Sequence, residues 1–297
     1  MSAREHILIV GCGFLGRCLA ERLHRFGAEV TGVARDPQGA QTDSSSAPWE
    51  IVRGDVTSRD SLSQLARIHP TITQVVHCAS SGRGGAEAYR AVFLEGCGNL
   101  LATFPEAPLL FTSSTSVYAQ THGEWVDETS PAEPGRDTGR ILRQAEELVL
   151  ASGGTVARLA GLYGPGRSYT LKKLLDGTAT IEGNGDEGRY LNQIHVDDAA
   201  SALAWLAGHV DSGLFNVVDD HPETQRQCYS WLAPMFETPM PPVAPPNPDR
   251  KRGWTHKRVA NRRLRATGWQ PHFPSYRSAI QGDPRLAPSI LQQVQPD

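Results

Sequence analysis

Three glycines and one arginine near the start of the chain have the types and spacing to hold a phosphorylated ligand. In "HILIVGCGFLG", Gly11, Gly13 and Gly16 follow an apolar run of strand type and open the amphipathic pattern "LGRCLAERLHRFG". A glycine at the first position allows a tight turn. At the second it lets the backbone approach a pyrophosphate, and at the third it lets strand and helix pack closely. A helix starting there offers unpaired N–H groups and a partial positive charge to an anion. Gly11, Cys12, Gly13, Phe14, Leu15 and Gly16 are therefore candidates for holding a dinucleotide. Which one depends on the end of the next apolar run. About 20 residues on, where an Asp or Glu bonds the ribose 2′-hydroxyl of NAD, the chain has Ala34 and then Arg35. With no carboxylate to repel a 2′-phosphate and a guanidinium to grip it, the reading is NADP rather than NAD. Asp36 keeps NAD as the alternative, if the strand ends two residues later.

These residues need a scaffold of alternating strands and helices, and the sequence supplies it. "HILIV", "AEVTGVAR", "WEIVRGD", "QVVHCAS" and "PLLFTSS" read as strands, separated by helices that include "SRDSLSQLARI" and "AYRAVFLEGCGNLLATF". Five such strands predict an α/β fold, a doubly wound parallel sheet covered on both faces. From Tyr163 the chain becomes richer in glycine and polar residues. The expected division is a Rossmann domain over 1–165, rejoined by 195–220, and a smaller substrate lobe over 166–194 and 221–297. Segment 233–248 holds seven prolines, which predicts a loop with no regular element. The run "DRKRGWTHKRVANRRLRATGW" carries eight Lys/Arg and reads as a solvated helical face, with an anionic substrate as the other use for one or two arginines.

Composition narrows the function further. The 297 residues carry a formal net charge of −3, which gives no reason to expect nucleic acid or an acidic membrane as partner. No stretch approaches the ~20 apolar residues of a membrane span, and the first apolar run is too short for a signal peptide, so a cytoplasmic location is expected. The five cysteines lie far apart, without a Cys-x-x-Cys pair. They read as reduced, buried thiols rather than metal ligands.

Taken together, "GCGFLG", "RGDVTSRDSL", "VVHCAS", "TSSTSVYA", "RLAGLYGPGR" and "QIHVDDAASAL" resemble the extended short-chain dehydrogenase/reductase superfamily, its NAD-dependent epimerase/dehydratase group. "TSSTSVYA", "RLAGLYGPGR" and Asn192 three residues before His195 are similar to the YeeZ-like atypical subgroup. The resemblance implies that Asp55 contacts adenine, with Val56, Cys78, Ala79 and Ser80 also lining the coenzyme. It implies that Ser114 faces the substrate. Three departures stand out. Val10 replaces a first glycine, and Phe93 falls near the place of a helix asparagine. The register held by Gly139, Arg140, Ala145 and Glu146 puts Thr138 and Leu142 where the group carries its catalytic tyrosine and lysine. A threonine hydroxyl is too weak an acid to stand in for a phenol, and leucine can neither lower its pKa nor hold a ribose. Tyr118 and Tyr163 are the candidates for a relocated donor, and Ser114, Tyr163 and Asn192 for substrate contacts. Leu191 and Asn192 near the "HVDD" motif, with Arg189 further off, weaken a nucleotide-sugar reading. Two functions follow: an NADP(H)-dependent oxidoreductase or epimerase acting on an unidentified small molecule, or a non-catalytic sensor of NADP(H). The resemblance also suggests a homodimer.

Overall fold

Strand β1 (His6–Val10) is buried along all five residues, as a continuous apolar run in a sheet covered on both faces should be. It is the fifth of seven strands across the main sheet of the computed structural model, which describes residues 5–37, 48–82, 84–183, 185, 187–247, 249 and 253–294. β2 (Glu29–Ala34) and β4 (Gln74–His77) flank β1, both parallel to it. β3 (Glu50–Arg53) continues beyond β2, and β5 (Leu109–Ser114) beyond β4, again in parallel. With β6 (Thr155–Leu159) and β7 (Gly213–Val217), the order across the seven-stranded sheet is β7-β6-β5-β4-β1-β2-β3. The sheet is thus a Rossmann-type one, two strands larger than the five read from the first part of the sequence. The chain leaves β1 towards β2 and β3, then returns to its other side as β4. That reversal makes a crevice beyond the carboxyl ends of β1 and β4, where ligands of such sheets bind.

Helix α1 (Phe14–Arg25) buries Leu15, Leu19, Ala20 and Leu23 along one stripe. Helix α2 (Arg59–Ile68) starts at Ser58, whose side chain accepts the Ser61 N–H. The helix expected over "AYRAVFLEGCGNLLATF" is divided. Ala86–Tyr89 is followed by a π-helical stretch, Arg90–Glu95, before α3 (Gly96–Thr103). Helix α4 (Asp137–Ala151) packs against β5, and α5 (Val196–His209) precedes β7.

Two compact units result: 1–117, 136–158 and 200–215 form one, and 118–135, 159–199 and 216–297 the other. Segments 118–135 and 159–165 fall in the second unit, against expectation, because of their strand partners. Glu124–Val126 pairs with Lys257–Val259, and Gly161–Tyr163 with Gln193–His195. The second unit has its own apolar core, with Tyr163, Leu171, Ile181, Leu232, Tyr276 and Ile290 at its centre. Capping boxes at Thr224/Gln227 and Ser275/Ser278 start two of its helices. The proline-rich segment is more regular than predicted. Its first residues end the helix Gln225–Met235, with Pro234 inside, and Val243–Ala244 forms a short strand beside Ile181–Glu182. The pairing uses what proline retains: the Pro242 carbonyl accepts the Ile181 N–H at 2.9 Å. Nor is the basic run a simple solvated face. Lys257–Val259 is a strand with Lys257 buried, only Arg262–Ala266 is helical, and Arg250, Lys251 and Arg252 lie outside the described residues. Among the described residues no helix is long and apolar enough to cross a membrane.

Candidate functional site

The glycine turn sits at the switch point of the sheet, and each glycine meets a different constraint. Gly11 has φ +96°, and a Cβ there would lie 2.3 Å from the Ala79 backbone, so the turns after β1 and β4 touch. A Cβ on Gly16 would lie 2.3 Å from the Gly11 carbonyl oxygen. Gly13 is the contrast: a Cβ there meets nothing within 4 Å. Only at Gly13 does the absent side chain leave open space, the cradle a pyrophosphate needs. Hydrogen bonds fix the loop, with Gly11 and Cys12 N–H both donating to the Val33 carbonyl and Cys78 N–H to Val10. No side chain caps the start of α1, and its first turn carries no acid. The helix end thus keeps its positive character for an anion. Cys12 is walled in, and burial pushes its thiol up to about 12. Burial and the neighbouring Cys12 raise Cys78 as well. Both are inert packing thiols at neutral pH.

The rim of the cradle comes from the next strand ends. β2 stops at Ala34, and Arg35 behind it is exposed. The Asp55 carboxylate accepts the Thr57 N–H (2.9 Å) and hydroxyl (2.8 Å), which fixes the turn after β3. Val56 is buried, and its carbonyl accepts the Asn99 amide at 3.0 Å. Ser80 accepts the Gly82 N–H at 3.2 Å. His77 was not singled out from the sequence, yet it braces this loop. Its Nδ1 accepts the Ala79 N–H (3.3 Å) and its Nε2 donates to the Val92 carbonyl of the π-helical stretch (2.9 Å). Burial holds its pKa down at about 4.

Helix α4 carries Thr138 and Leu142, the positions at which the resemblance implies a tyrosine and a lysine. Glu146 is fully buried, bonded to Ser113 Oγ at 2.5 Å, to Arg158 at 3.0 and 2.6 Å, and to Arg143. Residues four apart share a helix face, so the anchor at Glu146 also turns Leu142 and Thr138 inward. Both are buried, at 3% and 9% exposure. Arg143 is taken up by Glu146 and Glu147, and Arg140 by Asp137. Ser114 is half-buried at the end of β5, its Oγ accepting the Ser116 N–H at 3.2 Å.

In the second unit both candidate tyrosines are enclosed. Tyr118 is fully buried, its hydroxyl 2.8 Å from the Asp127 carbonyl and 2.9 Å from Asn216 Oδ1. Tyr163 is 1% exposed, with its ring edge-on to those of His195 and Tyr276. Burial, reinforced by Asp219, pushes its pKa well above that of a free phenol. These are packing environments. Asn192 is also committed: its Nδ2 donates to the Lys257 carbonyl (3.0 Å), and its Oδ1 accepts the Val259 N–H (2.7 Å).

Residues 7–217 match the sequence profile of the NAD dependent epimerase/dehydratase family. The chain belongs to that family. Protein YeeZ of Escherichia coli strain K12 is 31% identical over 219 residues, covering 69% of this chain and 76% of that protein. A 3-diazoavenalumate denitrifying reductase from a Streptomyces species is 29% identical over 309 residues, covering 92% of this chain and 98% of that enzyme. UDP-glucose 4-epimerase of Thermus thermophilus, solved in complex with NAD, has the same fold. Its TM-score is 0.77, with 22% identity over 95% of this chain and 97% of that one.

Against this family background, His195 of the "HVDD" motif is wholly buried. Its Nδ1 accepts the Asp197 N–H, and its Nε2 lies 3.4 Å from Asp283. Desolvation lowers its pKa, opposed by those two carboxylates. His195, Asp197 and Asp283 stand close enough to share a metal ion. Arg285, however, bonds both Asp283 oxygens (3.0 and 2.9 Å) and reaches Asp197 at 3.3 Å, so the cluster is balanced by a guanidinium. One residue with chemical potential was missed: Lys257, hidden in the basic run. The alternation in "KRV" was its signal, since a strand period of two separates Lys257 from Arg258.

Proposed function

We propose that this protein is an NADP(H)-dependent reductase that delivers hydride to a strongly electrophilic small molecule without a Tyr-x-x-x-Lys proton donor. The inward-facing Thr138 and Leu142 on α4 carry the reading, since the register that the family resemblance implies puts them at the tyrosine and lysine positions. The glycine cradle supports coenzyme binding through Gly11, Gly13, Gly16 and the start of α1. Ala34 and Arg35, at the end of β2, favour a 2′-phosphate over a bare ribose. Cys78, Ala79 and Ser80 border the cradle, and Asp55 and Val56 hold the turn expected to meet adenine.

The coenzyme, when bound, supplies a hydride to its substrate. Reduction of an ordinary carbonyl also needs a proton on oxygen, and a missing general acid there costs typically 10²–10⁴ in rate. The enclosed hydroxyls of Tyr118 and Tyr163 offer no replacement. An acceptor that takes hydride without being protonated first removes that requirement. The Streptomyces relative that spans most of the chain is named as a reductase of a diazo compound, which fits such an acceptor. Ser114 is then left to orient the substrate rather than to protonate it. Epimerisation, which moves a proton on and off a hydroxyl, fits the site less well.

The test is NADPH oxidation with benzenediazonium, in which hydride replaces the departing N₂, and with an activated aldehyde. Consumption with the diazonium faster than in a protein-free control, at a rate flat from pH 6 to 9, is expected. No acceleration with either acceptor, while NADPH still binds, would leave the second reading, a non-catalytic NADP(H) sensor. The enclosure of the Tyr118 and Tyr163 hydroxyls favours that alternative.

A further inference from the structure

Asp55 and Arg59 are opposite in charge and four residues apart, yet they form no ion pair with each other. Each is held elsewhere. Asp55 Oδ1 accepts both the Thr57 N–H (2.9 Å) and its hydroxyl (2.8 Å), which leaves Oδ2 without a partner among the described residues. Arg59 Nε donates to Asn99 Oδ1 at 2.9 Å, and neither terminal nitrogen of that guanidinium has a partner among the described residues. Asn99 lies on α3, is 7% exposed, and donates its own amide to the Val56 carbonyl at 3.0 Å. A Cβ on Gly96 would lie 3.0 Å from Val56 Cγ2, so α3 packs closely on the same turn.

Folding alone does not account for Arg59. It is the first residue of α2, where a cation opposes the helix dipole. It is exposed, and yet the buried Asn99 devotes its carbonyl oxygen to orienting it. The turn is also where the coenzyme site continues. Ala34, the last residue of β2, is paired with Arg53 and accepts the Gly54 N–H at 3.0 Å. The chain therefore leaves β2 as Arg35 beside the place where it leaves β3 as Asp55. Adenine presents its 6-amino group and a neighbouring ring nitrogen side by side, one donor and one acceptor. A carboxylate oxygen and a guanidinium N–H are the complements of that pair.

We propose that Arg59 is a further coenzyme-binding residue, donating to a ring nitrogen of adenine while Asp55 accepts from the 6-amino group. This rests on the NADP(H) reading of the glycine cradle and deepens it by naming what selects the base. The two arginines then have separate tasks. Arg35 serves the 2′-phosphate, and Arg59 serves the base that NADPH and NADH share.

The full-length protein and Arg59→Ala are titrated calorimetrically with NADPH, NADH and the hypoxanthine analogue of NADPH, in which a 6-oxo group replaces the amine. The parent protein should bind the analogue at least ~tenfold more weakly than NADPH, because an oxygen then faces Asp55 in place of a donor. Arg59→Ala should weaken NADPH and NADH by the same factor, roughly tenfold, the scale of one charge-assisted hydrogen bond. Its melting temperature without coenzyme should not fall, since the change removes a cation from a helix start. An unchanged NADPH affinity in the variant would overturn the proposal. So would a loss confined to NADPH, which would put Arg59 on the 2′-phosphate, or equal binding of the two bases by the parent protein. Each of these outcomes leaves coenzyme binding standing, whereas no NADPH binding by the parent protein would sink both readings.

Discussion

Glu146 receives two bonds from Arg158, Nε to Oε1 at 3.0 Å and Nη2 to Oε2 at 2.6 Å, with no more than 1% of either side chain exposed. A pair this deep adds little net stability over apolar packing, but losing one partner strands the other charge. Glu146→Leu should therefore destabilise the protein by about 3–5 kcal/mol in urea unfolding. A loss below about 1 kcal/mol would mean that α4 is not anchored through this pair.

The glycines should separate folding from binding. Gly11→Ala puts a Cβ 2.3 Å from the Ala79 backbone at a positive φ, and should cost more than about 2 kcal/mol of stability. Gly13→Val adds atoms where nothing lies within 4 Å. It should leave the melting curve nearly unchanged while weakening coenzyme binding at least ~tenfold, about 1.4 kcal/mol. Equal effects of the two substitutions on stability would contradict the cradle geometry.

His77 makes stability depend on pH. Its folded pKa, about 4, lies below the ordinary 6.5 because of burial. Between those values the unfolded chain binds the extra proton, so stability is full above about pH 6.5 and falls as pH drops towards 4. The contribution lost by pH 5 is ~2 kcal/mol. Urea midpoints at pH 7.5 and 5 should show it, and His77→Gln should remove that part of the difference.

Much of this fold was legible because local pattern and tertiary role agree. The apolar run before Gly11 and the stripe of Leu15, Leu19 and Leu23 each have one stable placement, and they locate the cradle. Glu146 entered the sequence reading only through the family resemblance; its four bonds were not legible there, since Ser113 and Arg158 lie on strands β5 and β6 while Glu146 lies on α4. Where sequence reading failed, the deciding partner was distant. Val243–Ala244 is a strand only because Ile181 seeks an acceptor, and Lys257 is buried only because its strand pairs with Glu124–Val126. Asn192 looked like a substrate contact, but its amide serves the backbone of residues 257 and 259. The turn of Arg90–Glu95 into a π-helix leaves no mark in composition; His77 reaches its Val92 carbonyl from β4.

Arg35 gives the most direct test. Calorimetric titration of the protein and of Arg35→Ala with NADPH and NADH should show NADPH favoured by the parent protein. The variant should lose at least ~tenfold in NADPH affinity, the scale of one charge-assisted contact to the 2′-phosphate, with NADH affinity little changed. If neither coenzyme binds the parent protein, or if Arg35→Ala leaves NADPH affinity intact, the proposed NADP(H) site is wrong.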